Sequence, residues 1–342
     1  MSPVISVIVP AYKVPDRISG IIKDLVAQPF KMFEIIIVLR HDDPETEEKA
    51  RELAETDARI KVIFQKNNGV SAARNAGIDA AEGQFLVFAD ADDRVTRGYL
   101  GTLLGSVADS RKAAMSKGFP RISAQMAMTG YDVVEDDRVI DGTTESGVRV
   151  MDTEDFLCRL FFQENYQGYV WNKIFRKSII DKFHLRFNED IYYREDQLFV
   201  CEYALHSEAI RFNPARVYHY VRREDSATGQ LDPEDGVLKL DVLEREMTQC
   251  LAFSKMRKLL RKHEDPQWYL EQEYVFYALE VFYRMRLVDD RTFFKDSYFR
   301  KIAKEVLSID YYPLDDWEKE QLESMQKYAK TGKTEENPIE SQ

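Results

Sequence analysis

Residues 85–89, Phe85-Leu86-Val87-Phe88-Ala89, form an unbroken apolar run that stops abruptly at Asp90-Ala91-Asp92-Asp93. An apolar run without polar alternation is the pattern of a strand covered on both faces, as in a parallel sheet sandwiched between helices. The carboxylates then fall at the carboxyl end of a central strand, the edge at which open α/β sheets bind ligands. The preceding residues agree with such a sheet: β-branched runs at 5–9, 34–39 and 60–65 alternate with helical patterns. Ile18, Ile21, Ile22 and Leu25 share one helical face, with Asp16 expected to cap it. Asp43-Pro44 reads as a cap followed by proline at the first helical position, and Glu45, Glu47 and Glu48 complement the helix dipole. The Asn67-Asn68-Gly69 turn leads into a small, Ala-rich helix over 71–80.

Beyond this half the pattern is less regular. Alternation over 123–131 and a turn near 135–138 predict two further strands, and Asp152 is expected to cap a helix ending near Phe162. A dense segment over 169–175, a short helix to Phe183, a helix opening at 192–199 and strands at 209–212 and 217–221 follow. Residues 223–236 are polar and carry Ser226, Gly229, Pro233 and Gly236, a linker composition. Leu240, Leu243, Met247, Cys250 and Leu251, and later Tyr274, Tyr277, Ala278, Val281 and Phe282, recur at helical spacing. The expected organisation is an α/β domain over 1–225, with a nucleotide half at about 1–110 and an acceptor half at about 111–225. A helical domain over 226–330 and a mobile polar tail over 331–342 complete it.

Charge and composition remove several functions. With 60 acidic against 48 basic residues the net charge is −12, so the chain lacks the positive field that drives nucleic-acid binding. No stretch approaches the roughly 18 uncharged apolar residues of a spanning helix. Residues 1–10 lack a basic segment before the apolar run, so they read as a first strand and not a signal peptide. Cys158, Cys201 and Cys250 are far apart and without CxxC spacing, which argues against a disulfide framework and makes a cytoplasmic location the expectation.

A D-x-D at a strand end has a clear chemical use, since hard oxygen ligands hold Mg²⁺ or Mn²⁺ and the ion neutralises a diphosphate. Alone, such a turn is more often a helix cap or a solvated loop. Its company is more specific: Ser6-Val7-Ile8-Val9-Pro10-Ala11-Tyr12 comes first, Gly69-Val70-Ser71-Ala72-Ala73-Arg74-Asn75-Ala76-Gly77 next, then Phe88-Ala89-Asp90-Ala91-Asp92-Asp93. Val170-Trp171-Asn172-Lys173-Ile174-Phe175, Arg194-Glu195-Asp196-Gln197-Leu198-Phe199, and Tyr218-His219-Tyr220 with Ser226-Ala227-Thr228 follow in order. Over about residues 4–230 this resembles a family 2 glycosyltransferase of the GT-A fold, similar to bacterial capsule, exopolysaccharide and teichoic-acid enzymes. The C-terminal hundred or so residues carry no such resemblance.

The resemblance implies transfer of a sugar from a nucleotide diphosphate donor, a UDP-sugar first, to a hydroxyl of a glycan or polyol-phosphate acceptor. It implies inversion in one displacement at the anomeric carbon, with Mg²⁺ or Mn²⁺ held by Asp90 and Asp92 and His219 as a further ligand. Asp196 is then the general base, and Glu195 beside it would raise its proton affinity by like-charge repulsion. Pro10, Ala11, Tyr12, Arg74, Asp90, Ala91 and Asp42 fall on the donor side; Trp171, Asn172 and Lys173 fall on the acceptor side. Each has a plainer alternative: a first-turn acidic pair for Glu195-Asp196, a solvated helix face for Arg74, packing for His219 and Trp171.

One departure from the family pattern stands out. An acidic pair usually follows the second strand, whereas this chain reads Val38-Leu39-Arg40-His41-Asp42-Asp43-Pro44. Asp42 or Asp43 reaches back, or the base is held differently, or the donor is not a uridine nucleotide. Two other functions stay open: a non-catalytic GT-A-fold assembly or regulatory protein, and a nucleotidyltransferase, although the loop 11–15 lacks the glycines the latter would need. The basic and apolar run 253–262 fits either an interfacial helix for a lipid-linked acceptor, with peripheral membrane association, or a helix packed on the first domain or a second subunit.

Overall fold

The computed structural model describes residues 2–108, 123–162, 164–223, 240–287, 297–311 and 313–331. Most of the expected linker with Ser226-Ala227-Thr228, and nearly all of the expected tail, lie outside the described residues. The chain divides into two compact units, one of residues 1–189 and 199–223, the other of residues 190–198 and 224–342.

The first unit is built on the strands β1 (Ile5–Ala11), β2 (Phe33–Leu39), β3 (Ile60–Phe64) and β4 (Phe85–Phe88). They pair in parallel in the order β3-β2-β1-β4, with Ile5 opposite both Phe33 and Phe85. Side chains of β1, β2 and β4 are almost wholly buried, which explains their largely apolar sequences; the two polar exceptions, Ser6 and Glu34, bond each other at 2.6 Å. Strand β9 (Lys173–Arg176) pairs antiparallel with β4 and with β6 (Met126–Glu135). β6 lies parallel to β10 (Ile210–Val221), against which the short β5 (Arg94–Val95) runs antiparallel. Along this path all strands but β9 and β5 point one way, so the sheet is mostly parallel. Strands β7 (Arg138–Gly142) and β8 (Arg149–Met151) pair beside β6 and β10.

Helices α1 (Ile18–Val26), α2 (Pro44–Thr56) and α3 (Val70–Ala80) connect the parallel strands, and α4 (Tyr99–Ala108), α5 (Thr153–Phe162) and α6 (Lys177–Phe183) follow. Asp43 caps α2 as expected, its Oδ1 accepting from the Thr46 amide at 3.3 Å. Asp16 does not cap α1: Arg17 holds the cap position with no side-chain capping bond, and the Arg17 and Ile18 amides donate to the Val14 carbonyl. A preceding turn thus does the work of a cap. The small residues of α3 let it approach β1 closely; a Cβ at Gly77 would lie 2.3 Å from Ile8 Cγ2. Gly77→Ala is therefore expected to destabilise the protein by about 1–3 kcal/mol through overpacking, read as a lower urea midpoint at unchanged slope.

Helix α7 (Glu195–Ala204) begins in the second unit and passes to the first at residue 199. The second unit otherwise consists of α8 (Leu240–Leu259), α9 (Glu264–Leu287), α10 (Ser297–Val306) and α11 (Asp316–Thr331). Leu243, Met247, Cys250, Phe253, Met256 and Leu260 are buried, and Phe253 stacks on Tyr274 at 5.4 Å. Phe253, Met256 and Leu260 of the run 253–262 thus pack inside the helical unit, whereas Leu259 is exposed. Among the described residues no helix is long and apolar enough to cross a membrane. Among the described residues no disulfide joins the three cysteines, and burial pushes the Cys250 thiol up to about 12.

Candidate active site

β1 lies between β2 and β4, so the loops after β1 and β4 leave the sheet at a topological switch point. After β4 the Ala89 amide still donates to the Ile8 carbonyl, and the chain then turns through residues 90–93. Asp93, only 2% exposed, anchors this turn to β10: its Oδ2 accepts from the Tyr218 hydroxyl at 2.8 Å and its Oδ1 from the Val221 amide at 2.8 Å. The Tyr218 oxygen also accepts from the Asp90 amide at 3.1 Å. Burial pushes the Asp93 carboxyl well above its usual range, and the charges of Asp90 and Asp92 push it further.

The other two carboxylates are partly open, at 31% side-chain exposure each. Asp92 pairs with Arg223, Nη1 to Oδ2 at 2.8 Å, and Arg223 Nη2 donates to the Asp92 carbonyl at 2.5 Å. Arg74 is buried, with its Nη2 3.6 Å from Asp90 Oδ1 and its guanidinium 5.2 Å from the Phe187 ring centroid. Tyr218 falls in one of the sequence motifs without a role assigned to it, and Arg223 falls in none. The signal for Tyr218 was present, since a bulky hydroxyl-bearing residue at an inward strand position needs a polar partner. Tyr218→Phe would leave a buried carboxylate and an amide each short of one partner, and is expected to cost about 1–3 kcal/mol in chemical denaturation.

At the end of β1, Pro10 and Ala11 lead to the exposed Tyr12. The Arg40 guanidinium lies 4.1 Å from the Tyr12 ring centroid and donates to both oxygens of Asp42, at 2.8 and 2.6 Å. Those bonds hold the Asp42 carboxyl below its ordinary range. Asp43 is spent otherwise: besides capping α2, its Oδ2 accepts from the Lys13 amide at 2.5 Å. It ties the loop after β1 to the start of α2, so of the two acidic candidates only Asp42 remains at the open edge.

The residues expected on the acceptor side are interior. Lys173 is 0% exposed, and its ammonium donates to the carbonyls of Gln167 and Tyr169 and to Asn172 Oδ1 at 2.6–2.9 Å. Asn172 Nδ2 donates to the Thr129 carbonyl at 2.9 Å. Both therefore brace the loop before β9 instead of reaching an acceptor. Trp171 is buried and stacked, with Tyr218 at 4.4 Å and Tyr169 at 4.8 Å. These rings form a ladder from the aspartate turn to Tyr169, which is 37% exposed.

His219 is not brought to the aspartates. Strand alternation sends Tyr218 and Tyr220 to the face holding Trp171, and His219 to the other, where its Nδ1 lies 3.4 Å from Asp132 Oδ2. Among the described residues no group of three His, Cys, Asp or Glu side chains is placed to hold a metal ion. Asp90 and Asp92 nevertheless suit a hard divalent cation that takes its other ligands from water and substrate phosphates. The upward push that they exert on Asp93 marks the turn as a concentration of negative charge.

Glu195 and Asp196 open α7 in the second unit; Glu195 is buried, Asp196 is half-buried, and Asp196 Oδ1 accepts from the Gln197 amide at 2.7 Å. Within the first unit, residues 6–125 match the family model Glycosyl transferase family 2. This stretch is a family 2 glycosyl transferase domain. The chain is 30% identical over 228 residues to the uncharacterized glycosyltransferase EpsJ of Bacillus subtilis, covering 67% of this chain and 64% of that protein. It is 28% identical over 239 residues to a GalNAc(5)-diNAcBac-PP-undecaprenol beta-1,3-glucosyltransferase of Campylobacter jejuni, covering 66% and 67%. The chain thus spans somewhat less than two thirds of EpsJ. Among solved structures, S. aureus TarS 1-349 is similar with a TM-score of 0.63 at 15% identity, over 97% of this chain and 92% of that one. A mannosyltransferase of Pyrobaculum calidifontis, solved with GDP-Man and Mn²⁺, has a TM-score of 0.51 at 14% identity, over 97% and 88%. At these identities the likeness is one of fold: the family 2 domain has the GT-A-like architecture of TarS.

Proposed function

We propose that this protein transfers a sugar from a nucleotide diphosphate donor, a UDP-sugar first, to a hydroxyl of a glycan or polyol-phosphate acceptor of the cell envelope, with inversion. The observation that carries the reading is the turn of Asp90, Asp92 and Asp93 at the switch point, anchored through Tyr218 in a family 2 domain. TarS solved with UDP-GlcNAc, and the Campylobacter relative named for an undecaprenol-linked substrate, support the donor and a lipid-linked acceptor.

In the proposed step the acceptor oxygen attacks the anomeric carbon as the bond from that carbon to the diphosphate breaks. The acceptor proton passes to Asp196, and the nucleoside diphosphate leaves with the bonding pair. A Mg²⁺ or Mn²⁺ ion bound by Asp90 and Asp92 supplies the charge neutralisation the leaving group needs. Arg74 adds a cation held in place by burial, and Tyr218 keeps the turn in register. Tyr169 presents the ring face on which a pyranose stacks, and Tyr169→Ala is expected to raise the acceptor KM about tenfold with donor affinity unchanged.

Calorimetric titration of UDP and of GDP, each with and without Mn²⁺, tests the donor site. Binding of one nucleotide that vanishes in EDTA is expected. Absence of binding for both would favour the non-catalytic reading, for which the Leu39-Arg40 departure is the argument.

A further inference from the structure

We infer that the helical unit is the mount of the general base, and that Arg194 is the positioning residue through which it holds Asp196. This rests on the proposed role of Asp196 and gives the helical unit a function of its own. Arg194 has φ +68°, in the left-handed region, immediately before α7. A non-glycine residue is strained there, and such backbone persists only when its surroundings over-determine it.

The surroundings do so from two helices of the same unit. Arg194 Nη1 donates to Glu273 Oε1 at 2.8 Å and to Gln197 Oε1 at 2.6 Å. Its guanidinium lies 4.6 Å from the Phe253 ring centroid and 4.2 Å from that of Tyr277. Burial pushes the Glu273 carboxyl up, and the Arg194 charge and hydrogen bond offset part of that push. Just upstream, Thr248 Oγ1 accepts from the Tyr192 and Tyr193 amides at 2.9 and 3.3 Å, and the Arg245 guanidinium sits 4.6 Å from the Tyr192 ring centroid. Residues 192–197 are thus gripped by α8 through Arg245, Thr248 and Phe253, and by α9 through Glu273 and Tyr277. The Arg194 carbonyl accepts the Leu198 amide at 3.0 Å, so the clamped residue also opens the helix whose first turn carries Asp196.

The chemistry of the clamp needs arginine. A planar cation can face aromatic rings while its Nη1 serves both Glu273 and Gln197; a lysine ammonium supplies the charge without the plane. Removing the clamp would let the first turn of α7 shift, and a displacement of about 1 Å at a reacting group can cost about 10²-fold in rate.

The test uses the full chain with Arg194→Ala, Arg194→Lys, Arg194→Gly and, in parallel, Asp196→Asn, measuring kcat, both KM values and calorimetric nucleotide affinity. Arg194→Ala is expected to lower kcat by about 10²-fold with nucleotide affinity within twofold of wild type, and Arg194→Lys to recover part of the loss. Arg194→Gly relieves the backbone but removes the clamp, so it should be as slow as the alanine variant; wild-type kcat in it would overturn the inference. Should the alanine variant fail to fold, the lysine and glycine variants decide by the same split. Arg194 variants at wild-type kcat beside an inactive Asp196→Asn overturn the positioning role alone, whereas an active Asp196→Asn overturns the general-base reading beneath it.

Discussion

Asp196→Asn is expected to lower kcat by roughly 10²- to 10⁴-fold, the usual contribution of a positioned general base. The substitution is close to isosteric and keeps an oxygen that can accept the Gln197 amide now bound at 2.7 Å, so the first turn of α7 should stand. What is lost is the ability to take up a proton. Nucleotide affinity should be unchanged, because the proposal assigns donor binding to Asp90, Asp92 and Arg74 and gives Asp196 only the acceptor proton. A matching loss of donor affinity would point to misfolding or to a different role for this carboxylate.

The second large effect is expected at the strand-end turn. Asp90→Asn and Asp92→Asn should each weaken Mn²⁺-dependent nucleotide binding by about 10²-fold, close to 3 kcal/mol at 1.4 kcal/mol per tenfold. Stability should change little, because each substitution relieves a repulsion on the buried Asp93 carboxyl and at the same time removes an ion pair, Asp90 with Arg74 or Asp92 with Arg223. Lost binding with a little-changed melting temperature is thus the signature of a ligand-binding carboxylate. Asp93→Asn separates from these two, since it alters a buried anchor bonded to Tyr218 and Val221 and should lower stability.

The parallel half of the sheet was legible because burial on both faces leaves β1, β2 and β4 almost entirely apolar, Ser6 and Glu34 excepted. The same logic located Asp90, Asp92 and Asp93 at a strand's carboxyl end. β9 was not legible as an antiparallel insert between β4 and β6, since nothing local in Lys173–Arg176 encodes partners dozens of residues away. Lys173 misled for a related reason: a lysine in a motif reads as a ligand, but three acceptor oxygens converge on its ammonium and allow it to be buried. His219 was misplaced although the information was present, because a strand over 217–221 with Tyr218 facing inward must turn His219 to the opposite face. The grouping of 190–198 with the helices depends on Thr248, Phe253, Glu273 and Tyr277, residues that no motif connects to the Glu195-Asp196 pair.

The most direct test of the central claim is nucleoside diphosphate release from a panel of UDP-, GDP-, CDP- and dTDP-sugars, with Mn²⁺, with EDTA, and with Asp196→Asn in place of the wild type. The expected result is release from at least one donor, first among the UDP-sugars, that depends on the metal and falls by 10²-fold or more in the variant. Release from none of them, together with no metal-dependent nucleotide binding, would contradict it.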